Sequence, residues 1–290
     1  MATTVHSRVN ALVTSFLARQ EYLVALPQHG FQILVAFLLF TSTSWMTYYF
    51  IAPTLLAYSH KKRQANDEHA RAKWGHMAVS FLHALIICGW SLYLWYDNSL
   101  AHSVQERVFG YSPYFGEMFA FSVGYFLWDV FCCIWYIKHY GRGFLVHALL
   151  GLLGLLSCYR PFMMYPTSRF LLFEFSTIFV DMHWFLEKLG YGGTWAILLN
   201  DACGLVAYLG VRLVFGSYLT YRFFRDIYAM HETIPFAYTL CSVLANTTTH
   251  ALNFFWFYRL LRSILRRVAP AAKKGAPPVK SPRREHKKQL

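Results

Sequence analysis

The sequence is poor in charge, and acidic residues are especially scarce. Only 14% of its 290 residues are charged, and the 27 Lys and Arg outnumber the 14 Asp and Glu. The chain is 56% hydrophobic and 19% aromatic, with several apolar runs long enough to cross a bilayer. This composition excludes an ordinary soluble domain and predicts an all-α, polytopic membrane protein.

Common catalytic and metal-binding motifs are absent. The 13 histidines form no H-x-x-H, H-x-x-x-H or H-E-x-x-H pattern, so we expect no metal site and no bound cofactor. There is no G-x-S-x-G and no glycine-rich phosphate loop. The last apolar segment has no lysine for a retinal Schiff base, which argues against a rhodopsin. The six cysteines fall in apolar segments without a C-x-x-C, which indicates packing residues.

The net charge of +13 does not indicate nucleic-acid binding. Of the 27 Lys and Arg, 11 lie from Arg259 onward, in and after the last apolar segment. A basic tail beside the last span is typical of the cytosolic side of a membrane protein. We therefore expect membrane lipid rather than nucleic acid as the partner.

Seven apolar segments predict seven transmembrane helices, preceded by an interfacial helix within Met1–Pro27. Basic loops at His60–Trp74 and Lys138–Arg142 share one side with the basic tail, which places the C-terminus in the cytosol. The seven segments are Phe31–Tyr58, Gly75–Tyr96, Pro113–Ile137, Gly143–Tyr165, Ser168–Lys188, Gly193–Phe215 and Ile234–Leu261.

The last four residues, from Lys287-Lys288, resemble the dilysine signal that a retrieval coat reads on proteins of the endoplasmic reticulum. We therefore expect a multi-pass protein of that membrane, with coat recognition of the tail. The tail itself, residues 267–290, is rich in Pro, Lys and Arg and is predicted to be disordered.

The stretch Trp128–Lys188 has an unusual density of ionisable residues among apolar ones. Such groups at membrane depth are costly and usually face a protein interior or a watery cavity. Counted at 1.5 Å per residue from the cytosolic helix ends, His147 lies roughly 6 Å deep. Polar residues of four further helices lie roughly 10–13 Å deep, namely Asp129, Asp181, Asn200, Asp201 and His250. This layer predicts a shared polar cavity open to the cytosol; the alternative is that each residue makes its own interhelical hydrogen bond.

Helical spacing assigns these residues to faces. Glu174, Thr177 and Asp181 share one stripe of the fifth helix, whereas His183 and Glu187 pair on the opposite side, as expected of a structural pair. In the seventh helix Asn246 and His250 share a face with Asn253. The residues predicted to bind lipid are therefore Glu174, Thr177, Asn200, Asp201, Asn246 and His250.

His147 is the predicted catalytic residue, should the protein be an enzyme. A neutral imidazole acts as general base or as an acyl-accepting nucleophile, and a carboxylate such as Asp129 or Asp181 orients it. The alternative role of His147 is a hydrogen-bonded packing residue.

Five motifs resemble the TLC-domain family over roughly Lys73–Arg266. The resemblance implies four parts of the chain: an N-terminal segment at 1–30, the first span and its basic loop at 31–72, a TLC domain at 73–266 and the tail at 267–290. Within the family the chain resembles the small lipid-homeostasis members, the transmembrane protein 56-like branch, more than the ceramide synthases. The motifs are Trp128-Asp129, the run K-H-Y-G-R-G-F-L-V-H ending at His147, the run E-F-S-T-I-F-V-D-M-H-W-F-L-E-K from Glu174, Asn200, and Val211-Arg212.

The resemblance implies a barrel of six helices, helices two to seven, around a lipid-holding cavity. In ceramide synthases such a barrel moves an acyl group from acyl-CoA to a sphingoid base. They have two adjacent histidines where this chain has Val146-His147, and their paired aspartates correspond at best to Glu174 and Thr177. If acyl transfer operates with acyl-CoA as co-substrate, Lys138 and Arg142 are the residues expected to hold the coenzyme phosphates. Two hypotheses stay open: a lipid-binding protein of lipid homeostasis, and an N-acyltransferase that uses His147.

Overall fold

The structure, a computed structural model, describes residues 23–58 and 67–274, with side chains as far as residue 263. The predicted interfacial helix lies mostly outside the described residues, as do the coat-signal lysines Lys287-Lys288. The described part is all-helical and contains no β-strand.

Twelve α-helices make up the described part, joined by short π-helical and 3-10 turns. They are α1 (Leu26–Met46), α2 (Ala52–Tyr58), α3 (Glu68–Tyr93), α4 (Val104–Phe109), α5 (Pro113–Trp135), α6 (Ile137–Tyr140), α7 (Arg142–Ser157), α8 (Met164–Phe170), α9 (Glu174–Leu189), α10 (Trp195–Tyr208), α11 (Phe215–Ala229) and α12 (Phe236–Lys274).

Within the described residues, four helical stretches are long and apolar enough to cross a membrane. They are Leu26–Ala57, Glu68–Tyr96, Val104–Trp135 and Trp195–Ala229, which contain the first, second, third and sixth predicted spans in whole or in large part. α7 is apolar but shorter, at 16 residues. These helices indicate a multi-pass membrane protein. The number of seven spans stays a prediction.

The fourth predicted span, Gly143–Tyr165, is shorter in the structure than in the prediction. α7 ends at Ser157, and the next helix begins at Met164. Pro161 explains the break, because proline lacks a backbone N–H and disfavours helical geometry at the residue before it. Met163 then takes a left-handed conformation, with φ of 53°, which turns the chain into α8.

α12 is longer than predicted at its carboxyl end. It continues to Lys274, into the segment 267–290 that the composition predicts to be disordered. The rest of that segment lies outside the described residues.

Six helices pack in a closed sequence of neighbours. α3 contacts α5 and α9, α5 contacts α7, α7 contacts α12, α12 contacts α10, and α10 contacts α9. α1 lies against the outside of α5 and α3. Chain direction alternates along this sequence, so α3, α7 and α10 start at the end where α5 and α9 finish. We call this the Lys73 end.

The opposite end carries the short helices α4 and α8. An apolar cluster joins α4 to α11 through Val108, Phe109, Phe223 and Ile227. Arg169 in α8 is buried and donates hydrogen bonds to the carbonyl oxygens of two residues after α3, at 3.2 Å each. The short helices thus pack across this end of the bundle.

The contact between α1 and α5 gives a direct test of the packing. A Cβ at Gly124 would lie 2.6 Å from Ala36 Cβ and 2.8 Å from the Phe37 backbone nitrogen. We therefore expect Gly124→Ala to lower the free energy of unfolding by about 1–3 kcal/mol, because backbone atoms cannot move aside. Gly89→Ala in α3, where nothing lies within 4 Å, is the matched control and should be neutral or stabilising in a thermal unfolding assay. Equal stability of the two variants would contradict the packing.

Candidate functional site

Arg212 is the centre of the buried polar network. Its Nε donates to Ser176 Oγ at 2.7 Å and to the Phe173 carbonyl at 3.1 Å. Nη2 donates to Thr177 Oγ1 at 3.0 Å and lies 3.7 Å from Glu174 Oε1. The Arg212 side chain thereby stabilises the first turn of α9 through hydrogen bonds.

The same guanidinium also reaches α12. Nη1 donates to Asn253 Oδ1 at 3.3 Å, and the Tyr208 hydroxyl donates to the Asn253 carbonyl at 3.1 Å. Arg212 lies in a π-helical turn, Leu209–Val214, between α10 and α11. Such turns are rare and occur frequently at functional sites. One arginine thus joins three helices of the ring.

Glu174 connects this network to two histidines. Its carboxylate is buried and interacts electrostatically with Arg212, His147 and His83. The His147 ring packs edge-on against Phe126 and Trp256, with centroids 6.1 and 5.4 Å away. Glu174 and Arg212 thus both act electrostatically on His147.

A second polar group lies nearer the Lys73 end. Asp129 and Asp181 are both buried, and each interacts electrostatically with the other and with Lys73. His76 Nε2 lies 3.7 Å from Asp129 Oδ1. Ser80 hydrogen bonds to Asp181, so α3, α5 and α9 meet here through polar side chains.

Several buried polar atoms of these two groups have no hydrogen-bond partner. They include Asp181 Oδ2, Asn253 Nδ2, His76 Nδ1 and His83 Nδ1. Asp181 and Asn253 are 3% and 1% exposed. Because buried polar atoms in native structures are almost always paired, these atoms mark a place where a polar ligand or water is expected.

A cavity of about 150 Å³ lies at a third place, between α9, α10 and α12. His183 and Asp201 line it, and their Nδ1 and Oδ1 atoms are 2.5 Å apart. Glu187 Oε2 lies 3.6 Å from His183 Nε2. Asp129, His147 and Asp181 are not among its lining residues.

Glu174 interacts electrostatically with Asp129 and Asp181 as well as with His147. Asp201, by contrast, pairs with His183 and lines the cavity between α9, α10 and α12. That Asp129, His147 and Asp181 share one site stays a prediction. Thr177 joins the Arg212 network as its spacing with Glu174 suggested.

The other predicted residues have simpler surroundings. Asn200 Nδ2 donates to the Phe179 carbonyl at 2.9 Å. This is an interhelical hydrogen bond, the role that the sequence allowed as the alternative to a shared cavity. His250 Nε2 pairs with Ser217 Oγ at 3.2 Å, and Asn246 Oδ1 is buried without a partner. Lys138 and Arg142 are exposed at the Lys73 end.

Sequence reasoning missed three features of the site. Lys73 and His76 were grouped with a basic loop and an apolar span, although both lie beside Asp129. The pairing of His183 with Asp201 also went unseen, because these residues lie on different helices. The burial of Arg212 could have been predicted from its position inside an apolar span, because an arginine there normally faces a polar interior.

The described part is thus an all-helical membrane protein with a buried polar interior organised by one arginine and several carboxylates. The model of the TLC domain matches residues 73–262, about two thirds of the chain. The chain belongs to the TLC-domain family, among its small members rather than the ceramide synthases.

The relatives agree with this assignment. An uncharacterised TLC domain-containing protein of Schizosaccharomyces pombe is 28% identical over 256 residues, covering 88% of this chain and 85% of the relative. Topoisomerase I damage affected protein 4 of Saccharomyces cerevisiae is 27% identical over 60% of this chain and 64% of its own length. TLC domain-containing protein 4-B of Danio rerio is 25% identical over 65% of this chain and 72% of its own. No solved structure matches the chain.

Proposed function

We propose that this protein binds a lipid or acyl chain inside a six-helix barrel and thereby takes part in lipid homeostasis in the endoplasmic reticulum. The barrel consists of α3, α5, α7, α9, α10 and α12. The closed sequence of helix neighbours supports it, because each of the six contacts two others of the set.

The unpartnered polar atoms in the interior carry this proposal. Asp181 Oδ2 accepts hydrogen bonds and Asn253 Nδ2 donates them, and both are buried without partners. A polar headgroup that reaches either atom supplies its missing partner, whereas a purely apolar ligand would leave both unpaired, at a cost of about 1–3 kcal/mol each.

Charge at the Lys73 end supports the proposed topology. Lys138 and Arg142 are exposed there, and Lys73 stands over the Tyr140 ring at 4.5 Å. A concentration of Lys and Arg in short loops is typical of the cytosolic side. In the proposal the lipid cavity opens to the cytosol at this end, with seven spans and a cytosolic C-terminus.

One observation favours a second candidate, an acyltransferase of the ceramide-synthase type. The His147 ring packs edge-on against Trp256 and interacts electrostatically with the carboxylate of Glu174. In this candidate His147 accepts the acyl group from acyl-CoA and passes it to a sphingoid base. Turnover with both substrates and an acyl adduct on His147, detected by mass spectrometry, would support it; absence of both would contradict it.

The lipid-binding proposal predicts a bound lipid that depends on Asp181. Protein purified in mild detergent should retain a lipid, quantified by native mass spectrometry. Asp181→Asn keeps the shape but replaces an acceptor by a donor, so we expect its lipid affinity to fall by about tenfold, which is about 1.4 kcal/mol.

Glu232→Gln is the matched control, because Glu232 is exposed in the loop between α11 and α12. It makes the same change from acid to amide away from the interior and should retain the lipid. The proposal fails if purified wild-type protein holds no lipid, or if Asp181→Asn retains as much as Glu232→Gln.

A further inference from the structure

The carboxyl end of α12 continues past the last predicted span. That span ends at Leu261, whereas the helix ends at Lys274, about 20 Å further along its axis. Residues 259–274 contain no acidic residue. Their six basic residues are Arg259, Arg262, Arg266, Arg267, Lys273 and Lys274. No other helix that the structure describes carries so many basic residues.

Helical spacing gathers these basic residues on one face of α12. At about 100° per residue, all six fall within an arc of about 140°. The rest of the circumference carries apolar residues only, namely Leu260, Leu261, Ile264, Leu265, Val268, Ala269, Ala271 and Ala272. A basic face opposite an apolar face is typical of helices at a membrane surface.

The described side chains at the start of this segment agree with the division. Arg259 and Arg262 are exposed, whereas Leu260 lines the cavity between α9, α10 and α12. Arg262 Nη1 donates to the Tyr258 hydroxyl at 3.4 Å, and Tyr258 is itself exposed. A neutral phenol does not compensate the charge of a guanidinium. The basic face therefore begins as an uncompensated positive surface on the outside of the bundle.

We propose that this basic face of α12 binds anionic phospholipids of the leaflet at the Lys73 end. A lipid is favoured over a soluble acidic partner because the preceding part of α12 forms the proposed seventh span, which keeps the basic face beside the bilayer. Lys and Arg next to a membrane surface are attracted to anionic headgroups over about one Debye length, ~8 Å at physiological salt. In the proposed topology this leaflet is cytosolic, but the surface itself does not depend on that assignment.

The depth and chemistry of the arginines suit lipid phosphates. The four arginines lie within about 9 Å of Leu261 along the helix axis. The headgroup layer of one leaflet is about 5–8 Å thick, so these arginines lie in it or next to it. A planar guanidinium donates two parallel hydrogen bonds to a phosphate, which a lysine ammonium does not. The surface is separate from the interior network around Arg212 and adds a second lipid contact to the proposed function.

The test measures which lipids surround the full-length protein. Protein reconstituted in dioleoylphosphatidylcholine vesicles receives a trace of spin-labelled phosphatidylserine or spin-labelled phosphatidylcholine, and electron paramagnetic resonance gives the fraction of each label that the protein restricts. We expect phosphatidylserine to associate about three to five times more strongly than phosphatidylcholine at low salt. The ratio should fall towards one in about 1 M sodium chloride, because salt screens the attraction.

A matched pair of double variants locates the surface. Arg262→Gln combined with Arg266→Gln removes two charges from the basic face and keeps good helix formers, so we expect the ratio to fall by about twofold. The control is Arg222→Gln combined with Arg225→Gln, on α11 at the opposite end of the bundle. Arg222, like Arg262, donates to a tyrosine hydroxyl one turn earlier, so the surroundings are similar. The control should leave the ratio unchanged.

Two results would overturn the proposal. One is a wild-type protein without preference for phosphatidylserine, which is also the result expected if the basic face binds a soluble acidic protein instead. The other is an equal fall of the ratio in both double variants. Lipid held inside the barrel is measured separately through Asp181→Asn, so failure of the barrel proposal and failure of this surface are distinguishable.

Discussion

Arg212→Met is expected to lower the free energy of unfolding by about 3–5 kcal/mol, one of the two largest effects anticipated here. The substitution removes hydrogen bonds to Ser176, Thr177 and Asn253 and leaves Glu174 buried without its cation. Breaking a buried ion pair from one side costs more than the pair itself contributes, because the remaining charge is uncompensated. The loss should appear as a lower melting temperature in detergent.

A double variant separates the charge effect from lost packing. Glu174→Gln added to Arg212→Met removes the orphaned charge, so the double variant should be more stable than Arg212→Met alone. Arg222→Met is the control, because Arg222 is partly exposed and donates to the exposed Tyr218 hydroxyl one turn away, and it should change stability by less than about 0.5 kcal/mol. A melting temperature of Arg212→Met equal to that of Arg222→Met would contradict the central role of Arg212.

Part of the interior was predictable because helical periodicity is local. Glu174, Thr177 and Asp181 fall on one stripe by spacing alone, and the structure turns that stripe towards Arg212 and Lys73. Composition likewise sufficed for the helical membrane class, since apolar runs of spanning length need no tertiary information.

The partners of those residues were not predictable by the same means. Depth counted from helix ends assumes that all helices are parallel and begin at the same level. Pro161 ends α7 earlier than predicted, so that assumption fails for this part of the bundle. His183 meets Asp201 across a helical hairpin, and residues 18 positions apart carry no periodic signal of contact. Periodicity and depth therefore could not show that Asp201 pairs with His183, nor that Arg212 binds the start of α9.

Asp226→Ala is expected to have the second large effect, at the end of the bundle opposite Lys73. Arg107 Nε and Nη2 donate to the two carboxylate oxygens of Asp226 at 2.7 and 2.8 Å, and both side chains are buried. This bidentate pair ties α4 to α11. Without Asp226 the Arg107 guanidinium loses its counter-ion, so we expect a loss of about 3–5 kcal/mol in unfolding free energy.

The effect should be localised, which gives it a sharper readout than a melting temperature. α4 is only six residues long. Its capping box at Ser103 and Glu106 is not enough to keep so short a helix folded once the ion pair between Arg107 and Asp226 is lost. Hydrogen exchange at residues 104–109 should therefore rise in Asp226→Ala more than exchange in α5. Arg225→Met is the matched control, because Arg225 lies 4.0 Å from the same carboxylate but is half exposed, and screening leaves little stabilisation there. Equal protection of residues 104–109 in the two variants would show that the apolar cluster of Val108 and Phe109 holds α4 without the ion pair.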